Sequence, residues 1–118
     1  MYLLDTNTCI QFLNGRSRLV EAQFRGHAPH QLKLCSVVKA EMIYGAARSA
    51  HPDRNLALME RFFAVYESFP FDDGAAASYG AIRQRLAAAG TPIGPNDLLI
   101  AAISQRSPPT RLSGQLIH

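Results

Sequence analysis

The chain has 118 residues, 47% of them apolar, enough to fill the core of one domain of ordinary size. Twelve basic residues, ten of them Arg, stand against nine acidic ones, and the resulting charge of +3 suits a polyanionic partner as well as a plain solvated surface. The longest apolar runs, such as Leu98 to Ile103, fall far short of the ~20 residues that cross a bilayer, and no basic segment with a cleavage site follows Met1. One cytoplasmic domain with no membrane contact is expected.

Tyr2 to Leu4 reads as a short buried strand, and Thr6 to Leu13 as a helix stopped by Asn14-Gly15. Ser17 is placed to cap a second helix running through Leu19, Val20 and Phe24 toward Gly26. A second strand is expected at Leu32 to Cys35, followed by Ser36 as an N-cap and a helix from Val37 to Ala47 with Val38, Met42, Ile43 and Ala46 on its apolar side. Beyond Pro52-Asp53, Leu56, Met59, Phe63 and Tyr66 recur at helical spacing. Ser68 to Phe71 gives a third strand. Ala75, Tyr79, Ile82 and Leu86 then mark a helix capped near Asp72-Asp73 and closed by Gly90. Pro95 opens a last, strongly apolar helix from Asn96 to Ile103. Cys9 and Cys35 belong to no paired motif and read as small buried apolar residues.

Strands alternating with helices imply an α/β fold around a mainly parallel sheet, because parallel strands need long crossovers. In such sheets the ligand crevice lies beyond the carboxyl ends of the strands. Asp5 follows the first strand with no turn residue between, so it points into that crevice. Glu41 lies about one turn into the helix after the second strand and points back toward the same end. Asp97 opens the apolar helix. Each alone has a plain reading, a helix cap for Asp5 or Asp97 and a surface residue for Glu41. Three carboxylates converging on one crevice would repel by ~4 kcal/mol per pair at ~4 Å and an effective dielectric near 20, so a divalent cation is the natural occupant.

The stretches Leu3-Leu4-Asp5-Thr6-Asn7, Ser36-Val37-Val38-Lys39-Ala40-Glu41-Met42-Ile43-Tyr44-Gly45 and Gly94-Pro95-Asn96-Asp97-Leu98-Leu99-Ile100-Ala101-Ala102 resemble the three acidic motifs of PIN-domain ribonucleases, specifically the VapC-type toxins of bacterial toxin–antitoxin pairs. The resemblance covers about residues 1 to 103. It implies a three-layer α/β/α fold and an endoribonuclease that depends on Mg²⁺ or Mn²⁺, is held in check by a VapB-type antitoxin, and forms a dimer or higher oligomer. Carried onto this sequence, it makes Asp5, Glu41 and Asp97 the catalytic and metal-holding residues. Asp5 and Asp97 would be direct ligands, and Glu41 would bind through water or orient the attacking water. Thr6 and Asn7 are supporting donors, with a structural role favoured for Asn7 and a phosphate contact or a helix cap open to Thr6. A catalytically silent relative that binds antitoxin or RNA without cleaving is the alternative. A phosphatase of the haloacid dehalogenase type also begins with a strand and Asp, but it needs a second Asp two residues on, where this chain has Asn7.

The other acidic residues have simpler explanations. Asp72 and Asp73 read as N-cap residues, and Glu21, Glu60 and Glu67 as members of polar helix faces. His27, His30, His51 and His118 lack the partners of a zinc site and read as surface residues. Arg16, Arg18, Arg25, Arg48, Arg54, Arg83 and Arg85 fall near loops or on polar helix faces where phosphates can reach them, although for any one of them a solvated surface is the favoured reading.

The resemblance ends at residues 104–118, an atypical tail in which Pro108-Pro109 stops any helix and strand character is poor. A frame-shifted origin is expected. Suitable codons for Ser104 to His118, read one step away, spell Ala-Thr-Leu-Ala-Ala-Asp-Ala-Thr-Leu-Gly-Thr-Ala-Asn-Thr, which resembles the helix end, strand and Thr-x-Asn segment of the family. The expected sheet therefore lacks its last strand or strands, and its open edge favours self-association.

Overall fold

Asp5 stands where the first strand gives way to the first helix, and the same strand-to-helix junction recurs twice more along the chain. The computed structural model describes residues 2–106. In chain order these form β1 (Tyr2–Leu3), α1 (Thr6–Asn14), α2 (Arg18–Arg25), a 3-10 turn (Pro29–Gln31), β2 (Leu32–Cys35), α3 (Ser36–Ala47), α4 (Pro52–Phe63), β3 (Glu67–Phe69), α5 (Asp73–Ala88) and α6 (Pro95–Arg106). Of the tail read as frame-shifted, residues 104–106 continue α6; the rest of that reading, the expected loss of the last strands and the placement of His118 fall on residues 107–118, outside the described ones.

The three strands lie in the order β1-β2-β3 and run parallel. The register pairs Tyr2 with Leu32 and Leu3 with Lys33, then Lys33 with Glu67, Leu34 with Ser68 and Cys35 with Phe69. All four residues of β2 are buried, so both faces of the sheet are covered, as parallel sheets require. This is the α/β architecture expected. The main core joins Leu3, Leu4, Leu32, Leu34, Val38 and Met42 to Val20, Phe24, Phe62 and Ile103. Phe12 stacks on Phe24 with centroids 4.0 Å apart, and Phe62 leans on both Phe12 and Tyr66. A second, smaller cluster of Ile82, Leu98 and Ala102 joins α5 to α6.

Local chemistry sets most of the boundaries. Asp5 Oδ1 accepts from Thr8 N at 2.7 Å, Ser17 Oγ from Val20 N at 3.2 Å and Asp72 Oδ1 from Ala75 N at 2.9 Å, giving α1, α2 and α5 their caps. Gly15 ends α1 at φ 67°, a left-handed conformation that suits glycine.

Several expectations are corrected. The strand expected at Ser68 to Phe71 is Glu67–Phe69, because Pro70 has no N–H to continue the ladder. Ser36 is not a cap: β2 runs straight into α3, Cys35 occupies the cap position in extended conformation, and no side chain there accepts a bond. Ile43 is exposed while Val38, Met42 and Ala46 are buried, since α3 is apolar around most of its girth and only one face meets the core. Tyr66 lies beyond the end of α4, in the turn before β3. The last helix extends past Ile103 to Arg106, no breaker preceding Pro108. Glu67 sits on β3 rather than on a helix face, and Lys33 Nζ donates to its Oε1 at 2.6 Å. The Lys33 side chain is only 8% exposed, against 61% for Glu67. This pair lets a lysine occupy the middle strand. His27 is half-buried, with its ring edge-on to Tyr2 at 5.0 Å and Nδ1 2.7 Å from the Gln23 carbonyl oxygen.

Candidate active site

Because the strands are parallel and each leads into a helix, the N-termini of α1, α3 and α5 gather at the carboxyl end of the sheet. Their unpaired N–H groups and macrodipoles give that end a positive bias, suited to anions. Into this setting the fold brings Asp5 and Glu41. Asp5 is half-buried and engaged through Oδ1 as the α1 cap. Thr6, beside it in the chain, donates from Oγ1 to Glu41 Oε1 at 2.9 Å, spanning 35 positions of sequence. Glu41 is half-buried on the second turn of α3. Of the roles open to Thr6, the one it adopts is to orient Glu41. The cap of α1 belongs to Asp5.

Asn7 is exposed at the start of α1. Asp97 lies in the first turn of α6 and is also exposed. Its Oδ2 is 3.8 Å from the position a Cβ would take on Gly94, so the carboxylate turns back over its own helix start. Among the described residues, no three His, Cys, Asp or Glu side chains come close enough together to hold one ion. The fold thus ties Glu41 to the residue that follows Asp5, while the described residues contain no three-group cluster. Hard oxygen donors from two carboxylates nevertheless fit Mg²⁺, which keeps most of its waters and takes only one or two carboxylates from a protein.

Beneath this pair lie the two thiols, a feature no sequence motif announced. Burial pushes the Cys9 thiol far above the ordinary thiol range, with the Asp5 carboxylate and Cys35 adding to it. Burial likewise raises Cys35, partly offset by the Val38 and Val37 N–H groups, while Glu41 raises it further. Both cysteines are fully buried and free. A buried thiol that stays protonated at neutral pH is a poor nucleophile and metal ligand. The seven arginines singled out above are all exposed.

A PIN domain family profile matches residues 2–108. The chain belongs to the PIN domain family. This PIN domain is 39% identical over 100 residues to the tRNA(fMet)-specific endonuclease VapC of Salmonella typhimurium, the alignment covering 85% of this chain and 75% of that protein. It is 36% identical over 103 residues to Ribonuclease VapC2 of Haemophilus influenzae, covering 86% and 76%. Among solved structures, DNA-bound VapBC from Salmonella typhimurium superposes with a TM-score of 0.81 at 37% identity, over 89% of this chain and 79% of the other. FitAcB from Neisseria gonorrhoeae superposes at 0.80 with 27% identity, over 90% and 81%. The expected fold and family thus agree with the observed ones. No helix among the described residues is long and apolar enough to cross a membrane.

Proposed function

We propose that this PIN domain is the toxin of a VapBC-type pair, a divalent-metal-dependent endoribonuclease whose reactive groups are Asp5, Glu41 and Asp97. The observation that carries this reading is the Thr6–Glu41 hydrogen bond, which ties Glu41 to the residue after Asp5 at the helix-rich end of a parallel sheet. Relatives that bear the names endonuclease and ribonuclease support it.

In this reading Asp5 and Asp97 would hold Mg²⁺ or Mn²⁺, and Glu41 would bind it through water or orient the attacking water. The chemistry a divalent ion supplies when bound is a more acidic water and charge compensation at a phosphodiester. Thr6 holds Glu41 so that its second oxygen accepts the proton of the attacking water. The N-termini of α1 and α3 favour the anionic backbone of RNA. The partners are a VapB-type antitoxin, RNA, and a second copy of the chain.

The test is cleavage of purified RNA by the full chain. Initiator tRNA heads the panel because a relative's name specifies it. Cleavage at defined positions that requires Mg²⁺ or Mn²⁺, stops with EDTA or antitoxin and is lost in Glu41→Gln is the expected result. A folded, ion-loaded chain that leaves every RNA intact sinks the proposal. The exposed Asp97, outside any three-group cluster, favours a second reading in which the domain binds antitoxin or RNA without cutting. Tight antitoxin binding together with intact RNA is its signature.

A further inference from the structure

A groove of about 380 Å³ runs between α5 and the start of α6, lined by Tyr79, Arg83, Leu86, Ile93, Pro95 and Leu98 among others. Tyr79, Arg83 and Leu86 fall at i, i+4 and i+7 of α5 and so share one helix face. Pro92 and Pro95 stiffen the opposite wall on either side of Ile93, which is 44% exposed. The floor is apolar and the rim is not. Arg83 Nη1 donates to Tyr79 Oη at 3.2 Å, with the guanidinium carbon 6.0 Å from the Tyr79 ring centre. Phe71 presents its ring edge-on to Tyr79 at 6.1 Å and is 37% exposed.

An aromatic wall, an apolar floor and one exposed guanidinium match the two halves of a nucleotide, a base to stack and a phosphate to pair. A guanidinium has five N–H donors and Tyr79 takes one, which leaves a fork for phosphate oxygens. The lining residues Pro95 and Leu98 flank Asp97 in the first turn of α6, so the groove adjoins the segment that carries that candidate site residue. We propose that this groove seats one unpaired base of an RNA strand, with Arg83 holding the adjoining phosphate. The proposal rests on the nuclease reading for its substrate class, but its binding step needs no cleavage.

The measurement is fluorescence anisotropy of a short 2′-O-methyl oligoribonucleotide against the full chain in EDTA, where cutting is impossible. Tyr79→Leu is expected to weaken binding about tenfold and Tyr79→Phe to weaken it far less, since stacking needs the ring and not the hydroxyl. Arg83→Ala is expected to weaken it about fivefold and to lower the slope of log K against log salt by about 0.7. Arg83→Lys should restore that slope, which a merely structural role for Arg83 does not explain. Unchanged binding in both Tyr79→Leu and Arg83→Ala overturns the subsite even where the parent cleaves RNA. So does an equal loss of binding to a fully paired duplex, because no base is then free to enter. Variants that bind RNA normally but lose antitoxin affinity or change their sedimenting mass assign the groove to a protein partner and also overturn it. A parent that never cleaves, yet binds the oligonucleotide through Tyr79 and Arg83, retires the nuclease reading and leaves the subsite standing.

Discussion

Asp5 has two duties in one carboxylate, and two substitutions separate them. Its Oδ1 caps α1 through Thr8 N at 2.7 Å, and in the proposed reaction the same side chain holds the ion. Asp5→Asn keeps an oxygen that accepts from Thr8 N, so the cap survives. It gives up a helix-dipole interaction of about 0.5 kcal/mol. Asp5→Ala removes the cap, at a cost of about 1 kcal/mol. For 118 residues that is a fall of about 4 °C in Tm. Thermal unfolding followed by circular dichroism should therefore leave Asp5→Asn within about 2 °C of the parent and put Asp5→Ala clearly below that. RNA cleavage should fall by roughly a hundredfold or more in both, because neither replacement offers an anionic ligand. If Asp5→Asn cleaves at the parental rate, Asp5 is a cap and nothing more. If Asp5→Ala melts with the parent, the cap reasoning fails instead.

Thr6→Val removes the donor to Glu41 and should lower the cleavage rate about tenfold with little change in Tm, while Thr6→Ser retains activity in the same assay. Glu67→Ala strands the Lys33 ammonium in a nearly closed site and should cost about 2 kcal/mol in urea unfolding, and adding Lys33→Met should recover most of it. Burial raises the Cys9, Cys35 and Tyr66 pKa values in the folded chain, so the unfolded chain ionises first as pH rises. The resulting stability is complete below the ordinary thiol value of 9.0 and declines above it, and the urea midpoint should drop between pH 8 and pH 10 less steeply in a Cys9→Ala, Cys35→Ala double variant. In the native chain both thiols should resist a disulfide reagent until urea is added.

What the sequence discloses is what depends on neighbours a few positions away. Ser17, Asp72 and Gly15 do their work within three or four residues, so the caps and stops they form could be placed from local pattern alone. Leu32 to Cys35 reads as a strand because it is apolar and short. Glu67 escapes a local reading because its setting is made by Lys33, a partner 34 positions away across the sheet. Ile43 and Val38 are indistinguishable in type, and only the packing of α3 decides which faces water. The same limit governs the candidate site. Asp5 and Glu41 could be directed to one end of the sheet from strand and helix order, whereas the part Thr6 plays needed the 2.9 Å contact itself. Asp97 depends on how α6 docks, and α6 is shared between the main core, through Ile100 and Ile103, and the smaller α5 cluster, through Leu98 and Ala102.

Lys33 is the one residue that touches every strand of the described sheet. Its carbonyl oxygen receives Leu4 N at 2.8 Å, its backbone is in register with Leu3 on one side and Glu67 on the other, and its ammonium reaches back to Glu67. The first strand is only two residues long, so that single peptide group is the keystone from which Asp5 is suspended. Aim at the acidic end of the molecule is therefore inherited from a cation hidden in its middle.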